Sequence, residues 1–383
     1  MARIYLDYAS LTPIDSRAAR EIKAFSDNEY ANPSSIYKEG VAAKKALALA
    51  RSKIADFIHA HSDEIVFTSG GTEANGLALE GAGRAARRGG IEKPHIVTTN
   101  IEHSSIMEVI SMMEIHGVEV TRLPVDQNGV VSSEEVRKAI RPNTFMVSIM
   151  TVNNEIGSIM PIREIAKAVR WARKNVTNTN YPLLHTDAAQ AALYEDLNVE
   201  QLGVDLMTLD GGKVYGPRGI GALFVRRGIP IEPIVYGGGQ ERGLRSGTEN
   251  LPSIAGFAKA LEIAANERAS EANRVMDLRN LFIEGLKKIR TDITVNAGLN
   301  SRMSPHILNI SIPGIDNEFF VLQLDAAGVA ASTKSSCLQD EDESYVLKSI
   351  GADSKTSVRF SFGRWTKKRD LAKTLRIMAK ILG

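Results

Sequence analysis

Along the first two thirds of the chain, short apolar runs bounded by turn residues alternate with longer stretches of helical period. The runs are "EIVFTSG", "HIVTTN", "TFMVSIMTV" and "LLHTDAA"; after the first three come "TEANGLALEGAGRAARRG", "SSIMEVISMMEIHG" and "IREIAKAVRWARKN". Continuous apolar runs of this length predict strands buried on both faces, and the intervening stretches predict helices. The order is that of an α/β fold with a largely parallel sheet. Beyond about Leu251 the alternation fades into "SIAGFAKALEIAANERASEANRVMDLRNLFIEGLKKI", which predicts one long helix followed by a mixed segment. The domain boundary is expected inside that helix, giving a large domain over 13–262 and a small α+β domain made of 1–12 and 263–383. With 383 residues the chain exceeds the size at which a single core stops growing.

Charge and cysteine content narrow the function classes. Lys plus Arg number 47 against 45 Asp plus Glu, a net charge of +2. No basic stripe interleaved with aromatics is present, so a nucleic-acid partner is not expected. The residues from Met1 to Asp7 lack the apolar run of a signal peptide, and no apolar stretch is long enough for a membrane span. The expected setting is the cytoplasm, with no membrane partner. No metal site is expected either. A single cysteine excludes an intrachain disulfide and raises the question of its use. Cys337 stands in "STKSSCLQDEDES", among hydroxyls, a lysine and four acids. A structural cysteine prefers apolar neighbours, so this one is either an incidental surface thiol or an accessible, chemically used one.

In open α/β sheets ligands bind beyond the carboxyl ends of the strands, so the residues just after each apolar run are the candidates. Ser69-Gly70-Gly71-Thr72-Glu73 joins a strand to a helix and offers free N–H groups, either as a phosphate cradle or simply as a tight turn. It matches neither nucleotide-binding glycine pattern. His103 follows "HIVTTN", as a site residue or a scaffold histidine, and Asn154 follows "MVSIMTV" in a turn whose amides also suit a ligand. Asp187 and Gln190 follow "LLHTD". A carboxylate in an apolar setting needs a cation, and a protonated pyridine nitrogen is one. Lys213 sits between a glycine pair and the strand "GIGALFV". Alone it would be a solvated lysine; with Asp187 and a phosphate cradle it suggests a Schiff base to pyridoxal phosphate.

At this point the chain resembles a known family. "YLDYASLTP", "NPSS", "SGGTEANGLAL", "EHSSI", "VNNEIG", "HTDAAQ", "KVYGPRGIGALFV", "GGGQERGLRSGTEN" and "VRFSFGRWT" are similar, in order and spacing, to the NifS/IscS-type cysteine desulfurases. These belong to the class V aminotransferase group of fold-type I pyridoxal-phosphate enzymes. The resemblance implies that Lys213 binds the cofactor, Asp187 holds its pyridine nitrogen protonated, and His103 stacks on the ring and assists proton transfer. It implies Asn154 and Gln190 around the phenolic oxygen, Gly71 and Thr72 on the phosphate, and Thr248 reaching the phosphate from the second subunit of a homodimer. Arg359 with Asn32 would bind the carboxylate of L-cysteine. Cys337 would take the sulfur as a persulfide, leaving alanine, and pass it to an acceptor such as an iron–sulfur scaffold protein, for cluster assembly or tRNA thiolation. The loop resembles the long-loop branch of the family.

Three stretches depart from the family pattern. Asp210-Gly211-Gly212-Lys213 stands where Ser-x-His-Lys is usual, Tyr37 where histidine is common, and Lys334-Ser335-Ser336-Cys337 where Gly-Ser-Ala-Cys is common. The first removes two phosphate donors. The expectation is that Gly211 and Gly212 replace them with inward-facing N–H groups, Gly212 at positive φ, while Asp210 points away. The acids from Asp340 to Glu343 are expected to face solvent and a basic partner. The alternatives are a selenocysteine lyase or another class V lyase, and, from a different class, a non-catalytic paralogue acting as a binding subunit.

Overall fold

The computed structural model describes residues 3–28, 30–177, 179–298, 302–333 and 343–383. Cys337 and the acids Asp340, Glu341 and Asp342 lie outside them.

The central element is a seven-stranded sheet. Its strands are β2 (Ile65–Thr68), β3 (His95–Thr99), β4 (Glu119–Leu123), β5 (Thr144–Ser148), β6 (Leu183–Asp187), β7 (Leu206–Asp210) and β8 (Gly221–Val225), in the order β2-β8-β7-β6-β5-β3-β4. Only β8 runs against its neighbours, pairing antiparallel with β2 and β7; the rest is parallel. The strands in the interior of the sheet are buried along their length, which is why they read as unbroken apolar runs. Two strands were not predicted. β4 is an edge strand, "EVTRL", in which only Leu123 is buried, so it carries no apolar run. β7, "LMTLD", runs directly into the glycine-rich turn and is masked by it in the sequence.

Two further pieces complete the described fold. β1 (Ile4–Tyr5) pairs parallel with β11 (Val329–Ala330). β10 (Ile307–Ser311) is the middle strand of a sheet with β9 (Thr294–Val295) and β12 (Ser357–Ser361). The helix Leu251–Ile289 is continuous over 39 residues. Its buried side chains from Leu251 to Ala264 join the core under the large sheet. From Val275 onward they join a second core with Leu308, Ile310, Val358 and Phe360 of the smaller sheet. A single helix thus packs into both cores and fixes one against the other. Among the described residues no helix is long and apolar enough to cross a membrane.

A candidate pyridoxal-phosphate site at the strand ends

A cavity of about 190 Å³ opens where β3, β5, β6 and β7 end. Asp187 closes β6 and is buried. Its Oδ2 accepts from Asn75 Nδ2 at 2.7 Å and its Oδ1 from the Ala189 N–H at 2.9 Å. Both donors are neutral, and no ion pair to Asp187 is formed among the described residues. Asn75 also donates to Ser105 Oγ at 2.9 Å, and Ser105 Oγ lies 2.9 Å from His103 Nδ1. His103 is the N-cap of the helix Ser104–Ile115, and its Nδ1 accepts from the Ser105 N–H at 3.2 Å. With Nδ1 held as an acceptor, a neutral His103 carries its proton on Nε2. A chain of hydrogen bonds therefore runs from Asp187 through Asn75 and Ser105 to the imidazole.

Lys213 follows β7 after one 3₁₀ turn, and its Nζ donates to the carbonyls of Ser10 at 2.6 Å and Ala9 at 3.1 Å. Gln190 Nε2 donates to the same Ala9 carbonyl at 2.8 Å, while its Oε1 lies 3.2 Å from His306 Nε2. His306 is buried, stacked on Tyr194 and hydrogen-bonded to Ser304 Oγ. Burial, reinforced by Arg359, Arg279 and Lys213, pulls its pKa down to about 3. It is neutral, and with Nδ1 against a hydroxyl its Nε2–H can fix the amide orientation of Gln190.

Arg359 reaches the cavity from β12 at 1% exposure. Nη1 donates to the Asn154 carbonyl at 2.8 Å; Nη2 donates to Asp7 Oδ1 at 2.9 Å and Ser10 Oγ at 2.7 Å. Its Nε is buried, with no hydrogen-bond partner among the described residues. The helix that begins at Gly71 brings Gly71 and Thr72 to the other end of the cavity; it continues through a π turn, Leu77–Gly81, to Arg88.

These residues fit pyridoxal phosphate. Asp187 is a buried carboxylate facing the cavity without a cation, which suits a protonated ring nitrogen. Lys213 stands on the same cavity, and glycine-lined backbone at a helix start suits a phosphate. Not every expected residue meets there. Asn32 is exposed and accepts from the Ser34 N–H at 2.9 Å, and it is not in the cavity lining. Thr248 is exposed, also outside the cavity lining.

The backbone nest expected at Gly211 and Gly212 is not formed. The Gly211 N–H donates to the Ile220 carbonyl at 3.0 Å and the Gly212 N–H to Asp210 Oδ1 at 2.7 Å. Neither glycine adopts positive φ. Asp210 caps this turn with one oxygen, but the other points into the cradle rather than away from it, accepting from the Gly71 N–H at 2.7 Å.

Five contributors were missed by the sequence reading: Asp7, Ser10, Asn75, Ser105 and His306. Asn75 had a signal, since it lies one helical turn after Gly71 and so on the same face.

Glu102, beside His103, is fully buried and accepts from Thr99 Oγ1 at 2.6 Å and the Met150 N–H at 2.9 Å. Burial, helped by the charge on Asp187, raises its pKa from 4.5 to about 8. Between those values the folded protein binds more protons than the unfolded chain, so this group's stabilisation is complete below 4.5 and is lost as pH rises through about 8. Glu102→Gln should therefore gain stability relative to the parent as pH rises across that window. Urea unfolding at a series of pH values measures the difference, and a difference independent of pH would contradict it.

The strand order, the single antiparallel strand and the lysine, aspartate and histidine at the strand ends define a pyridoxal-phosphate enzyme of fold-type I. The chain belongs to the aminotransferase class-V family, which its residues 4–373 match. It is 40% identical over 384 residues to "Cysteine desulfurase IscS" of Dictyoglomus turgidum, covering 99% of this chain and 94% of that one. A solved structure titled "NIFS-LIKE PROTEIN" superposes with a TM-score of 0.91 at 32% identity, covering 99% of both chains. A second, "SspA in complex with cysteine", has a TM-score of 0.81 at 32% identity and covers 95% of this chain and all of its own.

Proposed function

We infer that this chain is a pyridoxal-phosphate-dependent cysteine desulfurase, converting L-cysteine to L-alanine and leaving the sulfur as a persulfide on Cys337. The observation that carries the reading is the meeting of Lys213, Asp187, His103 and Arg359 on one cavity, in a chain that matches relatives named cysteine desulfurase over 94% of their length. A binding subunit would need none of the four, and the curated relatives' names give no support to a selenocysteine lyase.

In this reading Lys213 Nζ holds the cofactor, Asp187 its ring nitrogen, Gln190 and Asn154 its phenolic side, and Gly71 with Thr72 its phosphate. Pyridoxal phosphate, when bound, withdraws electrons from the substrate's α-carbon and so loosens the bonds next to it. Arg359 offers a planar, charged fork to the substrate carboxylate and aligns the amino acid. Lys213 Nζ, as a free amine, takes the α-proton and His103 Nε2 assists its movement, oriented by Ser105 and Asn75. The Cys337 thiolate attacks the substrate sulfur: an S–S bond forms, the carbon–sulfur bond breaks with its electron pair left on the β-carbon, and protonation of the β-carbon together with return of the α-proton to the α-carbon gives alanine.

The finer features belong to the same proposal. Exposed Tyr30, Ile36 and Tyr37 flank Asn32, and exposed Tyr236 precedes Thr248, which supports a homodimer in which these segments meet a second copy. The two cores sharing the helix Leu251–Ile289 support a large domain of 13–262 and a small one of 1–12 with 263–383. A persulfide carrier fits a reducing compartment, the cytoplasm, and a protein sulfur acceptor such as an iron–sulfur scaffold.

Incubation of the purified protein with L-cysteine tests the reading. Alanine should form in a single burst without reductant, and alanine with sulfide should form continuously once a thiol reductant discharges the persulfide. Absence of alanine under both conditions would refute it.

A further inference from the structure

The corner that suits the phosphate already holds a carboxylate. Asp210 closes β7 and divides its oxygens between two backbone donors, Oδ1 on the Gly212 N–H and Oδ2 on the Gly71 N–H, each at 2.7 Å. The second is the first free N–H of the helix that starts at Gly71, the donor a phosphate there would use first. A Cβ built on Gly71 would come within 3.1 Å of Asp210 Oδ2, so the carboxylate lies directly against the bare backbone of the cradle. The other charged groups around it are engaged elsewhere. Glu73, in the same helical turn, binds Arg245 Nε at 2.8 Å and the Ser69 N–H at 2.8 Å. Lys213 Nζ is directed to the Ala9 and Ser10 carbonyls, and the Asp187 carboxylate to Asn75 and Ala189.

We propose that Asp210 competes with the cofactor's phosphate for the Gly71 N–H, so that position 210 sets how strongly this chain prefers phosphorylated over unphosphorylated pyridoxal. The proposal rests on the cofactor reading above. Two anions cannot both accept the same N–H, and a dianion brought beside a carboxylate is repelled by it. Asp210 also spends part of the positive field at the helix start, which a phosphate would otherwise use in full. Loading the phosphorylated cofactor is then an exchange: the Asp210 carboxylate leaves the Gly71 N–H as the phosphate arrives. Pyridoxal carries a neutral hydroxymethyl group at that position and meets no such competition.

The test uses the full chain, stripped of cofactor by dialysis against a carbonyl scavenger and titrated separately with pyridoxal phosphate and pyridoxal while visible absorbance is followed. Asp210→Asn removes the charge and keeps the shape; Asp210→Ser serves as the second variant if the first does not fold. Removing the charge should tighten pyridoxal phosphate by about tenfold or more and move pyridoxal by less than about twofold. A purely structural effect of the substitution would move both ligands alike, and that result would overturn the proposal. Unchanged or weaker binding of pyridoxal phosphate would also overturn it. Failure of parent and variant alike to bind either compound would instead overturn the cofactor reading on which it rests.

Discussion

Cys337→Ser is expected to abolish desulfuration while leaving cofactor binding intact. A serine hydroxyl is not ionised near neutral pH and cannot take a sulfur atom as a persulfide, whereas a thiolate is both nucleophile and acceptor. The loss should reach at least about a thousandfold, the scale on which removal of a covalent nucleophile acts. Alanine should disappear with sulfide, because the carbon–sulfur bond breaks only when the sulfur has somewhere to go. The visible absorbance of the bound cofactor should be preserved, since the cavity is built by Lys213, Asp187, Gln190 and the helix start at Gly71 and contains no cysteine among its described residues. Sulfide release at the parent rate would remove Cys337 from the mechanism. Loss of the cofactor band along with activity would mean that position 337 supports the cavity rather than the sulfur.

What the sequence made legible follows from how each residue reaches its place. Asp187 and His103 stand at the ends of apolar runs, and an open α/β sheet gathers strand ends in one crevice, so their meeting was readable from position; Lys213 follows β7, which the sequence masked, and was read instead from its place between a glycine pair and the next apolar strand. The strands β3, β5 and β6 were readable because both of their faces are buried. His306 and Asp7 carry no such signal. His306 reaches Gln190 across 116 positions and Asp7 reaches Arg359 across 352, and neither pairing has a local pattern. The misreading at Gly211 and Gly212 has a different origin. Glycine permits a positive φ but does not require one, and here both N–H groups are claimed by nearer acceptors, the Ile220 carbonyl and the Asp210 carboxylate. The glycine-rich turn and the family resemblance both pointed to Gly71 and Thr72 for a phosphate; only the geometry shows that Asp210 turns one oxygen to the Gly71 N–H.

Asp187→Asn should lower kcat by about 10²–10³-fold, the range found when one preorganised electrostatic partner of a reacting group is removed. The physical reason is specific to this site. Asp187 is the carboxylate that would keep the cofactor's ring nitrogen protonated, and a neutral amide cannot supply that charge. The substitution also disturbs the neighbouring hydrogen bonds. An asparagine oxygen can still accept from the Ala189 N–H, but that turns its NH₂ towards Asn75 Nδ2, setting donor against donor. Asn75 can relieve this by flipping, which turns its Oδ1, in the parent buried and without a partner among the described residues, towards position 187. The flip still leaves an NH₂ near Ser105 only if the whole side chain shifts, so the Ser105–His103 contact loosens as well. KM for L-cysteine should change far less than kcat, because in the proposed function the substrate carboxylate would be held by Arg359, whose contacts to Asp7, Ser10 and Asn154 do not pass through Asp187. Asn75→Ala combined with Asp187→Asn should cost much less than the two single losses multiplied, since both substitutions break one connected chain. Steady-state kinetics of the three variants measures this. A parental kcat in Asp187→Asn would take Asp187 out of the proton-holding role assigned to it, and fully multiplicative losses in the pair would mean that Asp187 and Asn75 do not act through one connected chain.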